Sequence, residues 1–522
     1  MMKVLIHAIK MPIMHTFQDV IEAAQAIVRL RSVMAKDFRI YKQSIDARKK
    51  NDIHYVYTVA ASVPDGTVCD GKVICPLDEG ETFEIPQKVL KERPVVIGMG
   101  PCGLFAAYVL AKSGNPPLVL ERGEPVEERT KTVAAFWSGG KLNKNSNIQF
   151  GEGGAGTFSD GKLNTRISDR RQRYVLKTFV AHGAPEDILY RAKPHIGTDK
   201  LRGVVASMRE EIIRLGGEIR FGACLTGMKH VNGALTEIEI NHDESMRCSC
   251  LILAIGHSSR DTYSMLSDVG ISMEAKPFAV GVRAEHKQEA VNRWQYGDAA
   301  SLLPPADYRL VYNGKERSCY SFCMCPGGVV VNASSEEGHL TVNGMSEYLR
   351  NRENANSAIV VSVTPSDFKG SGPLAGMEFQ RRYEKLAYQI GRGGAPVQLI
   401  RDFLADRISS SLDEVTPSFT GDWRFAELKH CLPEAVVATL KEGLTSFDKK
   451  MQGYATGGGV LTGVEMRTSA PLRILRTQEL MSTAVRGIYP AGEGAGFAGG
   501  IVSAAVDGIR CALAVLDNSR AE

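Results

Sequence analysis

Short apolar runs punctuated by glycine recur along this chain. Val95-Val96-Ile97, Leu118-Val119-Leu120 and Leu251 to Ile255 are each long enough for a strand buried on both faces, the pattern of a parallel sheet. Gly487 to Ala491 predicts a further strand of the same kind, and Glu218 starts another that runs to Phe221. Between them the period changes. Leu201, Val204, Val205, Met208, Ile212 and Leu215 fall on one helical face, stopped by Gly216-Gly217. Cys102 to Ser113 is an apolar, alanine-rich helix with Gly114 as its stop, and Ala498 to Leu516 predicts a helix that closes the chain. The first 88 residues carry their own pattern. Lys3 to Ile9 is strand-like, Thr16-x-x-Asp19 is a cap before Val20, Ala24, Ile27 and Val28, and Ile53, Tyr55, Tyr57 and Val59 alternate as a half-buried strand. The stretch 64–86, rich in Pro, Gly and Asp, predicts the end of this module. Strand-like runs at Phe278 to Arg283, Val329 to Val331 and Ala358 to Val363, mixed with helical ones, predict an inserted domain, and Ala234 to Ile240 predicts a hairpin arm.

Two glycine turns give this pattern a chemistry. Gly98, Gly100 and Gly103 follow the Val95 strand at G-x-G-x-x-G spacing. The first permits a tight turn, the second lets backbone approach a pyrophosphate, and the third lets helix pack on strand. Pro101 and Cys102 lie within the turn, and the helix after it offers free N–H groups and a positive dipole end. Glu121 ends the next strand about 20 residues on, where a ribose diol needs an acid. Nearly 400 residues later, Gly487 to Gly500 repeats the order strand, glycine turn, helix start. One turn fits any dinucleotide. Two fit FAD, which is long enough to be held at both ends. A third glycine-rich stretch, 149–163, carries Gln149, Gly153, Gly154, Ala155, Thr157, Asp160 and Lys162, all candidates to face a flat ligand, with Phe150, Phe158 and Leu163 as apolar anchors.

Composition narrows the class. The 522 residues, 43% hydrophobic, suffice for two or three domains. A net charge of +4 supplies no global field for nucleic acid, and no apolar run approaches the length that spans a bilayer. The N-terminus lacks the apolar core of a signal peptide, and 11 scattered cysteines, an odd number, predict reduced thiols in a cytoplasmic protein. Between Arg29 and Lys50 lie eight basic residues against two aspartates, a solvated face or a site for an anionic partner such as RNA or protein.

These runs resemble the glutathione-reductase-like flavoproteins with two dinucleotide-binding domains. The chain resembles more closely a bacterial family of uncharacterised FAD-dependent dehydrogenases. The resemblance rests on Gly98-Met-Gly-Pro-Cys-Gly-Leu-Phe-Ala106, Glu121-Arg-Gly123, Phe150 to Leu163, Lys193-Pro-His-Ile-Gly-Thr198, Tyr320-Ser-Phe-Cys-Met-Cys-Pro-Gly-Gly328 and Tyr489 to Gly500. It implies Gly98, Gly100 and Gly103 under the FAD pyrophosphate, Glu121 on the adenosine ribose, Arg122 beside the adenine and Arg129 at the phosphates. It further implies Cys224 or Leu225 offering backbone to the adenine, with Ala254, Ile255 and Gly256 nearby. Gly492 and Glu493 are implied at the second phosphate and ribityl chain, where Asp is common in the wider superfamily. The last helix, entered through Gly499, Gly500 and Ile501, is implied to aim its N–H groups at the flavin N1/O2 edge.

The expected fold is α/β: a Rossmann-like FAD-binding domain (93–165, 198–265 and 455–522), an inserted α+β cap or substrate domain (166–197 and 266–454) and a small N-terminal α/β module (1–88). No Cys-x4-Cys pair follows the first helix, which excludes a disulfide reductase of the glutathione reductase type. Gly391-Arg-Gly-Gly394 follows a helix-like stretch and predicts a loop, so no dedicated NAD(P)H domain is expected. Cys319, Cys323 and Cys325 share one face if 319–325 is a strand, as buried thiols or as a face toward flavin or substrate. Cys248 and Cys250 form a weaker pair, His182 and His195 flank a Pro-containing turn, and no metal site is expected. The expected function is hydride transfer between a small-molecule substrate and flavin N5, with a soluble electron donor or acceptor. The alternatives are a regulatory or nucleic-acid-associated flavoprotein acting through residues 1–88, and a plain NAD dehydrogenase.

Overall fold

A computed structural model describes residues 1–30, 33–78, 83–165 and 167–518. Arg31, part of the basic stretch, and positions 79–82 of the turn-rich stretch lie outside the described residues.

Five parallel strands form the central sheet, in the order Ile488–Pro490, Leu251–Leu253, Val95–Ile97, Leu118–Glu121 and Glu218–Phe221. Val95–Ile97 is the pivot. The chain leaves it for Leu118 on one side and returns later on the other, so the strand order reverses between Val95–Ile97 and Leu251–Leu253. Ligands of open α/β sheets bind at the carboxyl ends of the strands beside such a reversal. Two helices pack against the sheet and each other. Pro101–Lys112 has Gly100 as its N-cap and proline in its first turn, and ten of its residues are buried. Ile501–Asn518 begins three residues later than the pattern predicted, because Gly500 takes φ +157° and its carbonyl accepts the first helical bond from Ala504 at 2.9 Å. The two helices approach so closely that a Cβ on Gly508 would lie 2.0 Å from the Cys102 carbonyl oxygen.

The second layer is a seven-stranded sheet, in the order Val311–Asn313, Ser318–Cys325, Asn354–Val363, Phe278–Lys287, Val460–Glu465, Ala395–Leu399 and Trp423–Phe425. Helices Ala375–Ile390 and Glu434–Lys450 bury their apolar faces in its core. Two segments differ from their expected places. Val460–Glu465, expected with the cofactor domain, is a central strand of this second sheet. A fully buried apolar run does not reveal which sheet it joins. Of the segment 166–197, expected in the cap, the described residues 167–197 pack on the parallel sheet's helices: Val175 and Phe179 of helix Arg171–Ala181 join Phe105, and the two phenylalanine rings lie 5.2 Å apart.

The N-terminal module is a four-stranded antiparallel sheet, Lys36–Asp46, His54–Val63, Met2–Met11 and Ile74–Pro76, covered by helix Phe17–Arg29. Thr16 and Asp19 form the expected capping box. The module is docked rather than tethered. Gln43 exchanges backbone hydrogen bonds with Tyr190 and Ala192, each at 2.8 Å, and Ile45, Ile53 and Tyr55 pack on the core of the second sheet.

Gly508→Ala places a methyl group against the neighbouring helix backbone. We expect it to lower the unfolding free energy by about 1–3 kcal/mol in chemical denaturation. Gly499→Ala, where a Cβ meets nothing within 4 Å, should leave the cofactor-free protein as stable as the parent.

Candidate functional site

A cleft of about 360 Å³ opens at the carboxyl ends of the parallel strands and runs to the face of the second sheet. Its floor is the first glycine turn. Gly98 takes φ +90°, donates to the Leu120 carbonyl at 2.8 Å, and lies so near strand Leu251–Leu253 that a Cβ would sit 2.4 Å from the Ala254 oxygen. Gly100 is different. A Cβ there would meet only the Gly154 Cα, at 3.7 Å, so packing does not require glycine, yet the residue lines the cleft above the uncapped helix start. The space is kept for an occupant. Glu121, 4% exposed, accepts from the backbone N–H groups of Met99 (2.7 Å), Gly123 (2.9 Å) and Gly151 (3.0 Å). Three bonds leave one acceptor position of a carboxylate open, on the oxygen that receives only Met99. Arg122 lies over the Phe150 ring at 4.2 Å and pairs with Asp261 at 2.7 Å, while its buried Nε has no partner.

The wall of the cleft is the loop 147–162, held from behind by Arg129. This side chain is fully buried, and its guanidinium donates to five backbone carbonyls: Asn147 (2.8 Å), Ile148 (2.8 Å), Gly151 (3.2 Å), Glu152 (2.6 Å) and Gly154 (2.9 Å). Gly151 takes φ +112°, and a Cβ there would lie 2.4 Å from the Arg129 Cδ. Burial pulls the guanidinium down, to about 9, against the opposing pull of Glu121 and Glu152. Arg129 was expected at the phosphates. It does not line the cleft, and its donors are occupied by carbonyls.

At the far end the two sheets meet. Asp160 is buried, and Lys162 (3.0 Å) and Arg350 (2.5 Å) outweigh that burial to hold it at about 2. Lys162 also donates to the Met324 carbonyl. Arg283 holds both oxygens of Glu465, at 2.9 and 3.0 Å. Arg467 is held by Glu384 at 2.7 and 2.8 Å, and Glu384 also receives Arg260 at 2.6 Å. Burial and the nearby Arg467 and Arg260 push His257 down to about 4, leaving it neutral. Burial pushes the Glu493 carboxyl up to about 7, against the pull of Lys276.

The cleft is lined by Gly98, Gly100, Pro101, Cys102, Glu121 and Arg122, then by Gln149, Gly154, Ala155, Asp160 and Lys162. Cys224, Leu225, Ala254, Ile255, Gly256, Glu493, Gly499, Gly500 and Ile501 complete the predicted residues found there. Besides Arg129, four predicted residues stand behind the lining. Gly103 lets helix pack on turn, its Cβ position being 1.9 Å from the Gly98 oxygen. Gly153 and Thr157 pack on each other, a Cβ on the glycine falling 2.0 Å from the threonine hydroxyl. Gly492 donates to Asp507 at 2.7 Å and abuts Cys102. His182 bonds Ser207 and Tyr108, and His195 bonds the Tyr348 carbonyl, so both serve packing. Residues that sequence reasoning missed come mainly from the second sheet and its loops: Phe322, Asn343, Glu465, Arg467 and Thr468, with His257 and Ser258 beyond the Leu251 strand. The glycine after that strand hinted at His257 and Ser258, and the cysteine run 319–325 at Phe322; Cys323 of that run lines the cleft as well.

Residues 277–468 match the family described as FAD-dependent protein, C-terminal domain-like, and residues 2–62 match a domain of unknown function. An uncharacterized protein of Clostridium beijerinckii is 53% identical over 490 residues, covering 92% of each chain. Among solved structures, the flavin-dependent brominase Bmp2 (a triple mutant) aligns with 82% of this chain and 81% of its own, at 12% identity and TM-score 0.39. A geranylgeranyl bacteriochlorophyll reductase-like protein from Thermoplasma acidophilum aligns with 81% of this chain and 77% of its own, at 13% identity and TM-score 0.34. The cleft fits FAD on its own terms: an uncapped helix start over open space at Gly100, a spare acceptor on Glu121, an unpartnered Arg122 Nε, and a second open helix start at Gly499 and Gly500.

Gly100→Val should abolish FAD retention while leaving the far-UV circular dichroism and the cooperativity of unfolding intact, since the side chain enters the cleft rather than the core. Glu493 gives a pH signature. Its folded value of about 7 exceeds the ordinary 4.5, so the folded cofactor-free protein binds this proton more tightly than the unfolded chain. Stability should therefore fall as pH rises from about 4.5 to about 7. Glu493→Gln should remove about 2 kcal/mol of that fall, read from urea midpoints across the range.

Proposed function

The chain belongs to the same family as the Clostridium beijerinckii protein, and we propose that this FAD-binding protein is an oxidoreductase acting on a small molecule held between the two sheets. The observation that carries the reading is a single cleft that joins an FAD-shaped cradle to a polar chamber built by the other sheet. When bound, the flavin supplies two-electron hydride chemistry at N5.

The protein's own residues do the rest. Glu121 accepts a hydroxyl of the adenosine ribose at its free lone pair, and Arg122 faces the adenine. The helix starts at Gly100 and Gly500 turn N–H groups toward negative charge at each end of the cofactor. Lys162, close to the flavin in this reading, favours the reduced, negatively charged form. Phe322, Asn343, Arg467 and Thr468 face the chamber from the other side and orient the substrate. Glu465, fixed by Arg283 at both oxygens, presents a carboxylate there. Cradles of this kind, glycine-ended on both sides, support kinship with the glutathione-reductase-like flavoproteins. Eleven unpaired cysteines support a cytoplasmic site, and no helix among the described residues is long and apolar enough to cross a membrane. The partners are a small-molecule substrate and a soluble electron donor or acceptor.

The purified protein should be yellow and release FAD, not FMN, on denaturation, and an anaerobic panel of metabolites should contain at least one that bleaches the bound flavin. A flavin that stays oxidised against the whole panel would favour a regulatory role for the cofactor instead.

A further inference from the structure

Strand Ser318–Cys325 breaks near its end. It pairs with Asn354–Val363 as far as Phe322, slips register, and rejoins with Cys325 opposite Asn356. Cys323 sits in the slip at φ +44°, a left-handed conformation that a side chain rarely adopts. On a regular strand, Cys323 and Cys325 would stand parallel on one face, roughly 6.6 Å apart. The break turns the second cysteine back on the first. The Cys325 thiol also reaches the Cys323 carbonyl at 3.4 Å.

Two cations enclose the pair. Arg283 donates to the Cys323 carbonyl at 2.7 Å and to the Cys325 sulfur at 3.5 Å. Lys162 donates to the carbonyl of Met324, the residue between them. Cys323 lines the cleft, while Cys325 is completely buried behind it. The third cysteine of the run shows what a packing thiol looks like. Cys319 is buried in the second sheet's core against Gly443, and burial pushes its thiol up to about 12. At the pair, the neighbouring Cys325 and the Lys162 and Arg283 cations push the Cys323 thiol down, while Cys325 is pushed up. The outer sulfur, which lines the cleft beside both cations, is the one favoured as thiolate.

We propose that Cys323 and Cys325 are a redox-active pair that exchanges two electrons with the bound FAD. The inference rests on the FAD reading above and extends it to a thiol–disulfide couple as the substrate class. In the oxidising direction a sulfur–sulfur bond forms and the Cys325 S–H bond breaks. Two electrons and that one proton pass to the flavin, giving its reduced anion, so charge and atoms balance. The reverse step restores thiolate and thiol. Cys323 is the sulfur that a disulfide entering the cleft meets.

The test is an anaerobic dithionite titration of the FAD-loaded protein after diamide oxidation, with disulfides mapped by mass spectrometry on the same acid-quenched sample. Wild type should take up four electrons per flavin, Cys323→Ser and Cys325→Ser two each, and the map should place a bond between 323 and 325. The map does not depend on flavin, so the two readings separate. A protein that binds no FAD overturns the cofactor reading and the electron exchange with it. A yellow protein in which wild type and both variants take up equal electrons, or in which both thiols still alkylate after diamide, overturns the pair alone.

Discussion

A buried arginine bound to five backbone carbonyls is the constraint on which this site depends. Taking a guanidinium out of water is costly unless every donor finds a partner and opposite charge lies near. Arg129 meets that demand at each of its three nitrogens with the carbonyls of 147–154, and Glu121 and Glu152 supply the countercharge. The exchange works both ways. A loop with several glycines has no intrinsic reason to keep one shape, and the planar fork of donors gives it one. Glu121 completes the clasp by accepting from Gly151 on the loop and Met99 on the first turn. The two walls of the cleft are thereby fixed to each other before any ligand arrives, which lowers the ordering cost of binding.

A second buried charge cluster sets how the two sheets sit. Arg260, from the helix after the Leu251 strand, meets Glu384 on helix Ala375–Ile390, and Glu384 is shared with Arg467 just beyond strand Val460–Glu465. Removing Glu384 would leave Arg467 buried without its carboxylate, a loss of several kcal/mol. The chamber between the sheets therefore has defined walls, and residues distant in sequence, such as Phe322 and Arg467, face the same space as Lys162.

The parts legible in sequence were those encoded locally. An apolar triplet, a glycine turn and an acid at the next strand end lie within 27 residues, from Val95 to Glu121, and each has a physical reason for its place. What Arg129 does was not legible, because its partners are backbone carbonyls, which carry no residue identity. The chamber was not legible either, since it depends on which faces of two separate sheets meet. The strand at 460–465 and the segment 167–197 lie in the other layer from the one expected, for the same reason: burial shows in an apolar run, but its partner does not. The cysteine run shows a different limit. Even spacing puts three thiols on one face only if the strand is regular, and the left-handed Cys323 breaks that premise.

The most direct test of this account compares FAD dissociation constants of the parent protein and Arg129→Lys, together with hydrogen exchange at the amides of 147–154. Lysine keeps the charge but lacks the planar fork, so most of the five carbonyl bonds are lost. Binding should weaken at least about tenfold, equivalent to about 1.4 kcal/mol, with faster exchange confined to the loop. Unchanged affinity with unchanged exchange would show that the loop holds its shape without Arg129, and would contradict the account.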